Sequence, residues 1–577
     1  MVSLSQQVNS GCAIILSIEL SYGLYREGNP ASMNKVAHYL QEHVAGEVMT
    51  GTDARKYFST DNSIFCLTPS VIVYPKNEND IRKIARFTWQ LAERGRIIPV
   101  TARGSGTDLS GAAIGSGILL VTPAHLGRVK FIDPKGGVVS VESGINFGKL
   151  QQLLFTYDRF VPSAPASLEY STVGGAVANN SSGMYSIKYG VMSNYVKGLR
   201  VVLANGEVIE TGKLSKKELN RKLGLATFEG EIYRSIDALL EENRELIAKS
   251  VINVTKNASG YNLVDIRNDD GSFDLSPLFI GSQGTLGLIS EVTLETEPVG
   301  AEPVLLCAYM DSADSVQAAV NELRELEIMP SAIELVDDNL LNTVASINGN
   351  YLKGVISPPY PKFVLIVEVD GDKEHKLKRT AKKAEKILTK HAKQVVLEID
   401  QDKQKDIWKI REASAIYSGH NQGQLNPLPL IDDAIVPVDK LKNLINVIYA
   451  LFNQEHLQVA VWGHAGEGNL HVQPYLNLGQ VGDRQKVFRI IEEYYKQIRE
   501  LGGSTTAQYN DGRLRGPYLS RIYSNDVFQL FQKIKRIFDP YGTLNPGVKI
   551  NVSTDEVKPL LRSEYHLDHI YDHLPFS

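Results

Sequence analysis

Residues 172–190 read Thr-Val-Gly-Gly-Ala-Val-Ala-Asn-Asn-Ser-Ser-Gly-Met-Tyr-Ser-Ile-Lys-Tyr-Gly, and this stretch decides how the fold is read. It combines paired glycines, paired amides and several hydroxyls with few charges. Glycine allows positive φ and a close approach of the backbone to a ligand. Neutral amides and backbone groups suit a flat heterocycle with alternating donors and acceptors.

Two further loops share this chemistry. Upstream, Arg103-Gly-Ser-Gly-Thr-Asp-Leu-Ser-Gly111 follows Ile97–Thr101, which reads as a buried strand. Exposed N–H groups and hydroxyls in such a loop form a nest for a diphosphate. Read alone, the loop is equally a tight surface turn, and its spacing differs from the nicotinamide-dinucleotide fingerprint. Downstream lies Gly281-Ser-Gln-Gly-Thr-Leu-Gly287. Three such loops point to one nucleotide-sized ligand. The candidate binding residues are Arg103, Gly104, Ser105, Gly106, Thr107, Asp108, Ser110 and Gly111 in the first loop. The second offers Thr172, Gly174, Gly175, Asn179, Ser182 and Gly183, and the third Gly281 and Gly284.

Around these loops the texture is α+β. Ser70–Tyr74 reads as a strand, and Ile81, Ile84, Ala85 and Leu91 repeat at helical spacing from Asn79 until Gly95 supplies a stop. After Gly300 the rhythm changes. Val304–Met310, Ser312–Leu326 and Ala332–Val336 form a strand–helix–strand unit, and Phe363–Val369, a helix from Asp372 to about Lys393, and Val395–Ile399 form another. Two such units suggest a ferredoxin-like antiparallel sheet with helices on one side. The second helix sets nine Lys and Arg side chains between Lys373 and Lys393 opposite Leu377, Ala381, Ala384 and Leu388. Such a face is either solvated or a dock for an acidic partner or anionic membrane. The domains expected are a helical lead-in (1–50), a ligand-binding domain (51–298), a cap or substrate domain (299–505) and a terminal segment returning to the ligand site (506–577).

Composition narrows the function. With 61 basic and 66 acidic residues the net charge is −5, which argues against nucleic acid as a partner. Cys12, Cys66 and Cys307 are too scattered for a disulfide framework or a metal cluster, so a reducing, cytoplasmic compartment is expected. The apolar run Gly11–Ile18 is short and has no basic flank, fitting neither a spanning helix nor a secretory signal. Ser32 is a plausible cap for a helix through Val44.

The chemistry is expected further on. Trp462-Gly-His-Ala-Gly-Glu-Gly-Asn-Leu-His471 brings His464 and His471 around a glycine-rich turn. Two such imidazoles could ligate a divalent metal or shuttle protons, or could be hydrogen-bonded histidines of an ordinary strand connection. Arg411, in Ile407-Trp-Lys-Ile-Arg-Glu412, can clamp a carboxylate through its planar guanidinium or pair with a neighbouring acid such as Glu412.

In combination these segments resemble the vanillyl-alcohol-oxidase and p-cresol-methylhydroxylase superfamily, in the branch of D-lactate, glycolate and D-2-hydroxyglutarate dehydrogenases. Asp61-Asn-Ser, Pro69–Pro75, Thr255-Lys-Asn-Ala-Ser-Gly-Tyr-Asn-Leu263, Asp511-Gly-Arg-Leu-Arg515 and Phe538-Asp-Pro-Tyr-Gly-Thr-Leu-Asn-Pro-Gly547 carry the likeness from about Tyr57 to Ile550. The resemblance implies a split FAD-binding domain of the p-cresol-methylhydroxylase type, a central cap and a helical C-terminal return. It implies two-electron oxidation of a small 2-hydroxy acid, a small carboxylate as substrate, and an external acceptor: a quinone, a flavoprotein or an iron–sulfur subunit. FAD is expected to be noncovalent, because no His or Cys lies in Arg103–Gly111. Asn545 is similar to the family's C-terminal contact with the flavin, although Val548 stands where the family has lysine, with Lys549 one place on. With 27 residues after Ile550 and no cysteine cluster, a C-terminal iron–sulfur module is not expected. A cytoplasmic protein is expected, either a homodimer or peripheral to the inner face of the membrane, without a transmembrane segment.

The resemblance implies catalytic roles for Arg411, His464, His471 and Tyr509, with His464 and His471 holding a divalent metal such as zinc or manganese. The chain departs from the family at two adjacent positions. In Gly502-Gly-Ser-Thr-Thr-Ala-Gln-Tyr-Asn510, Gln508 stands where the family has a metal-binding glutamate and Tyr509 where it has a histidine. Gln283 similarly replaces a usual glutamate. An amide is the weaker ligand and a phenol the weaker base. Two alternatives therefore stand beside the dehydrogenase: a flavin-binding electron-transfer subunit, and an oxidase of another alcohol that uses Tyr509 as a phenolate.

Overall fold

The structure is a computed structural model and describes residues 35–567. Ser32 and the run Gly11–Ile18 lie outside the described residues. The lead-in is seen as a helix, Lys35–His43, that buries Val36, Ala37 and Leu40.

Three larger sheets follow, beside a two-stranded pairing of Arg159–Phe160 with Glu297–Pro298. The first orders Glu47–Met49, Val71–Tyr74, Ile118–Val121 and Val100–Arg103, the last three mutually parallel. Asn77 caps the helix Glu78–Ala92 by accepting from the Asp80 N–H, and Ile81, Ile84 and Ala85 are buried beneath it. The strand expected over Ile97–Thr101 starts only at Val100, and Ile97 is 56% exposed. Pro99 lies immediately before the paired segment and has no N–H for a ladder. The glycine loop from Gly104 leaves the C-terminal end of this strand.

The second sheet is antiparallel, in the order Val129–Asp133, Val138–Glu142, Leu288–Glu295, Val196–Val202 and Val208–Glu210. Leu288–Glu295 alternates buried and half-buried residues, as a strand with one packed face should. That face shares a core with the helices Phe228–Glu242 and Asn525–Phe538. The C-terminal chain thus returns to the first half of the molecule. Its Leu544 bridges Val100 in parallel, with Asn545 N–H donating to the Val100 carbonyl at 2.9 Å.

The third sheet places Gln394–Glu398, Ala301–Met310, Phe363–Gly371 and Ala332–Asp337 side by side, all antiparallel. Numbered along the chain this order is 4-1-3-2, the ferredoxin-like arrangement expected. Val459–His464, Asn469–Leu476 and the short Asn426–Pro427 extend it. Ala313–Arg324, capped by Ser312, and Glu374–His391 cover one face. The basic side of Glu374–His391 faces solvent, with Lys378 paired to Glu374 and Lys390 to Glu322.

The expectation of helices on one side only is corrected. Asp338–Ile347 and Gln401–Gly419 pack on the opposite face, against Leu305, Cys307, Val364 and Ile366. Both faces of the central strands are apolar, as near-continuous hydrophobic runs require.

Candidate active site

The glycine loops form one cleft. Gly104 to Asp108, Thr172 to Ser182 and Gln283 to Gly287 contribute to its wall, and so do Asn62 and Ser143. Thr172 caps the helix Val173–Asn179 by accepting from the Gly175 N–H at 3.1 Å, and Asn180 ends it with φ of 53°. The helix is pressed so hard on Ser143 that a Cβ on Gly174 would lie 2.6 Å from the Ser143 Cβ. In the first loop Gly106 has φ of +79° and packs directly on the Arg103 guanidinium, which itself donates to the Thr60 carbonyl at 2.7 Å.

Against this cleft stands a cluster built by the cap sheet and the terminal segment. Gln508 and Tyr509 line the cleft. Behind them, His464 ends one strand and His471 lies on the next. His464 Nδ1 donates to Glu334 Oε1 at 2.7 Å, and His471 Nδ1 donates to Asp432 Oδ1 at 2.7 Å. The carboxylates fix both tautomers and turn the two Nε2 atoms towards each other, 3.4 Å apart. Burial lowers His464 to about 4 against the opposing pull of Glu334, so its ring is neutral near pH 7. Burial opposes ionisation of Glu334, yet the Arg411 charge and the hydrogen bonds from His464 and Arg411 hold its carboxyl below the usual range. Arg411 Nε donates to Glu334 Oε2 at 2.7 Å and Nη1 to Ser414 at 3.0 Å. Its buried partner is therefore Glu334 rather than Glu412. Tyr509 stacks on His471, centroids 5.2 Å apart. Desolvation, with Asp432 and Asp433 adding, pushes its hydroxyl well above the ordinary phenol range. Burial thus disfavours the phenolate that an oxidase of another alcohol would use.

The loop carrying Gln508 and Tyr509 is gathered by one carboxylate. Asp433 Oδ2 accepts from the N–H groups of Ala507, Gln508 and Tyr509 at 3.0, 2.9 and 2.7 Å, and from the Thr506 hydroxyl. Asp433 holds φ of 80° to do so, an uncommon conformation for a residue with a Cβ.

Comparison with known proteins agrees with this geometry. Residues 69–212 match the family described as FAD binding domain, and residues 301–548 match that described as FAD linked oxidases, C-terminal domain. Two domain families of FAD-linked oxidases are thus matched along the chain. It is 29% identical over 537 residues to D-2-hydroxyglutarate dehydrogenase of Escherichia coli, covering 90% of this chain and 52% of that protein. It is 27% identical to glycolate oxidase subunit GlcD of Bacillus subtilis, covering 83% of this chain and 88% of the relative. The chain spans about half the length of the first of these. Among solved structures, p-cresol methylhydroxylase with substrate bound superposes with a TM-score of 0.65 at 14% identity, over 92% of this chain and 99% of that one.

The cleft's residues fit the FAD that the matching binding-domain family takes. Among the described residues no acceptor faces the N–H groups of Ser105, Gly106 and Thr107. Asn62 Oδ1 and Ser143 Oγ are buried at the wall with no hydrogen-bond partner among the described residues. Such groups call for a bound polar ligand. Of the expected binding residues, Arg103–Asp108, Thr172, Gly174, Gly175, Asn179, Ser182 and Gly284 line the cleft. Ser110, Gly111, Gly183 and Gly281 stand behind the wall. The Ser110 hydroxyl is taken by Asp108 and Gln283, and a Cβ on Gly183 would strike the Ala164 carbonyl at 2.4 Å. Asn545 is also spent internally, accepting from Thr101 and donating to the Ala112 and Gln283 carbonyls. It anchors the returning chain to two of the loops.

The metal expectation meets a different outcome. Among the described residues no three His, Cys, Asp or Glu side chains converge as a ligand set. Gln508 presents Nε2 to the histidines, at 3.1 Å from His464 Nε2 and 3.5 Å from His471 Nε2. The donor set does not fit a divalent ion.

Sequence reading missed Glu334, Asp432, Lys256 and Glu467. Lys256 is buried, pairs with Glu467 at 2.9 Å, and donates to Ser182, Ser186 and Gln508 Oε1 at 3.2, 2.9 and 3.1 Å. A lone lysine in the otherwise neutral Thr255–Gly260 and a lone acid between the two histidines were the available signals. Lys549 is equally buried and binds Asp511 at 2.6 Å, so it serves the loop rather than the cleft.

Proposed function

We propose that the chain oxidises a small 2-hydroxy acid, with FAD bound in the cleft supplying the two-electron acceptor. The observation that carries this reading is the cluster of Arg411, His464 and His471 directly behind Gln508 and Tyr509, which line the cleft. Arg411 is aligned by Glu334 and Ser414, and among the described residues its Nη2 donates to no protein atom. That edge is available to a carboxylate. His471 takes the hydroxyl proton on Nε2: its Nδ1–H is committed to Asp432, and its contact with the Gln508 amide, the longer of the two at 3.5 Å against 3.1 Å for His464, is given up as the proton arrives. Tyr509, stacked on His471, shields that nitrogen and donates from its hydroxyl. D-2-hydroxyglutarate, D-lactate and glycolate are the substrate types, following the relatives. Electrons pass to an external quinone, flavoprotein or iron–sulfur subunit. Cys66 and Cys307 are free, which suits a cytoplasmic setting. Among the described residues no helix is long and apolar enough to cross a membrane.

Anaerobic titration of the flavoprotein with D- and L-2-hydroxy acids, following flavin absorbance, tests the reading. Bleaching by one stereochemical series is expected. Reduction by dithionite but by no hydroxy acid would refute it and favour the electron-transfer reading, which Gln508 and Tyr509 support.

A further inference from the structure

The third position beside the histidine pair is set by a network that runs out of the pair and into the cleft wall. Two imidazole nitrogens 3.4 Å apart, each backed by a carboxylate, have the spacing of two ligands of one ion, which would sit about 2.0–2.1 Å from each. What stands beside them is Gln508, and its orientation follows from its other neighbours. Gln508 Oε1 accepts from the Ser182 hydroxyl at 2.6 Å and from Lys256 Nζ at 3.1 Å. A lysine paired with Glu467 has three donors and no lone pair, so only the amide oxygen can face it. The NH2 group then has to face the histidines.

An NH2 group carries two hydrogens, one for each inward-facing imidazole nitrogen, and cannot ligate a metal. Turning the amide over would set NH2 against the Lys256 ammonium and leave the Ser182 hydroxyl without its acceptor. All of these groups are buried, where an unpaired donor or acceptor costs about 1–3 kcal/mol.

We infer that the Gln508 amide occupies the place of a divalent cation, so that the protein carries a metal-free, amide-bridged histidine pair locked by Ser182, Lys256 and Glu467. The inference concerns the site of the proposed oxidation but stands apart from it, because metal content can be read whether or not a hydroxy acid reduces the flavin.

The test uses the purified full-length flavoprotein, expressed with zinc and manganese in the medium. Elemental analysis of the wild type should find far less than one zinc or manganese per chain, and its Tm should not move on adding either ion or EDTA. Gln508→Glu restores a carboxylate facing the pair and should take up about one ion per chain, with a Tm that falls in EDTA. Stoichiometric metal in the wild type that survives gel filtration would overturn the inference, whatever becomes of the variant. A folded, yellow Gln508→Glu protein that still takes up no metal would overturn the claim that the amide is what occupies the place.

Discussion

At the scale of single residues, two side chains divide the work proposed for the site. Arg411 already spends Nε on Glu334 and Nη1 on Ser414, so its orientation exists before any substrate arrives. Lysine would keep the charge and lose the planar fork. Arg411→Lys is therefore expected to lower kcat/KM for a hydroxy acid roughly 10- to 100-fold, mostly through KM, because one charge-assisted hydrogen bond is worth about 1.5–3 kcal/mol. The flavin spectrum should be unchanged; an unaltered KM would show that Arg411 does not touch the carboxylate. His471→Asn should instead depress kcat by about 100-fold or more with KM little changed, the pattern of a lost proton acceptor. If kcat survives, the acceptor is another group.

At the scale of elements, the loop 506–510 is held from outside rather than by its own geometry. Asp433 supplies one carboxylate oxygen to four donors and adopts φ of 80° to reach them. Asp433→Ala should free this loop at a cost of a few kcal/mol, since several charge-assisted bonds are lost together. Hydrogen exchange at Ala507–Asn510 should speed up while the cap sheet stays protected. Unchanged protection would mean that the loop is held by Asn510 and Lys549 instead. The glycine loops and the ferredoxin-like strand order were legible in the sequence because their signals are local: hydroxyls crowded between glycines, and apolar runs alternating with amphipathic helices. The second helical layer was not, because Asp338–Ile347 and Gln401–Gly419 share the texture of any surface helix. Glu334, Asp432 and Lys256 were not legible either. Glu334 and Asp432 meet the histidines from 130 and 39 residues away, and Lys256 meets Gln508 from 252, so pairings of this kind leave no short-range pattern.

At the scale of the whole molecule, the interior of the cap sheet holds acids whose ionisation burial opposes. Glu368 is raised to about 7 by burial, with Asp370 adding and Ser331 opposing, and Asp337 is likewise raised to about 7 by burial. In the unfolded chain such carboxyls lose their protons near pH 4. Between those values the folded state keeps protons that the unfolded state has lost, so stability falls as pH rises towards about 7 and then levels. Glu368→Gln removes one of these groups while keeping an acceptor for Ser331. Its Tm should gain on the wild type steadily from about pH 5 to about pH 7, by up to roughly 3 kcal/mol in stability. A difference that does not change with pH would show Glu368 ionised throughout.

The same scale carries the central claim of the proposal, that three glycine loops, braced by the returning C-terminal segment, hold FAD without a covalent bond. The most direct measurement is the visible spectrum of the purified chain, followed by denaturation and assay of the supernatant. The chain should be yellow and release about one FAD per polypeptide, leaving the precipitate colourless. A colourless protein that takes up no FAD on reconstitution, or a flavin that stays with the denatured chain, would contradict the account.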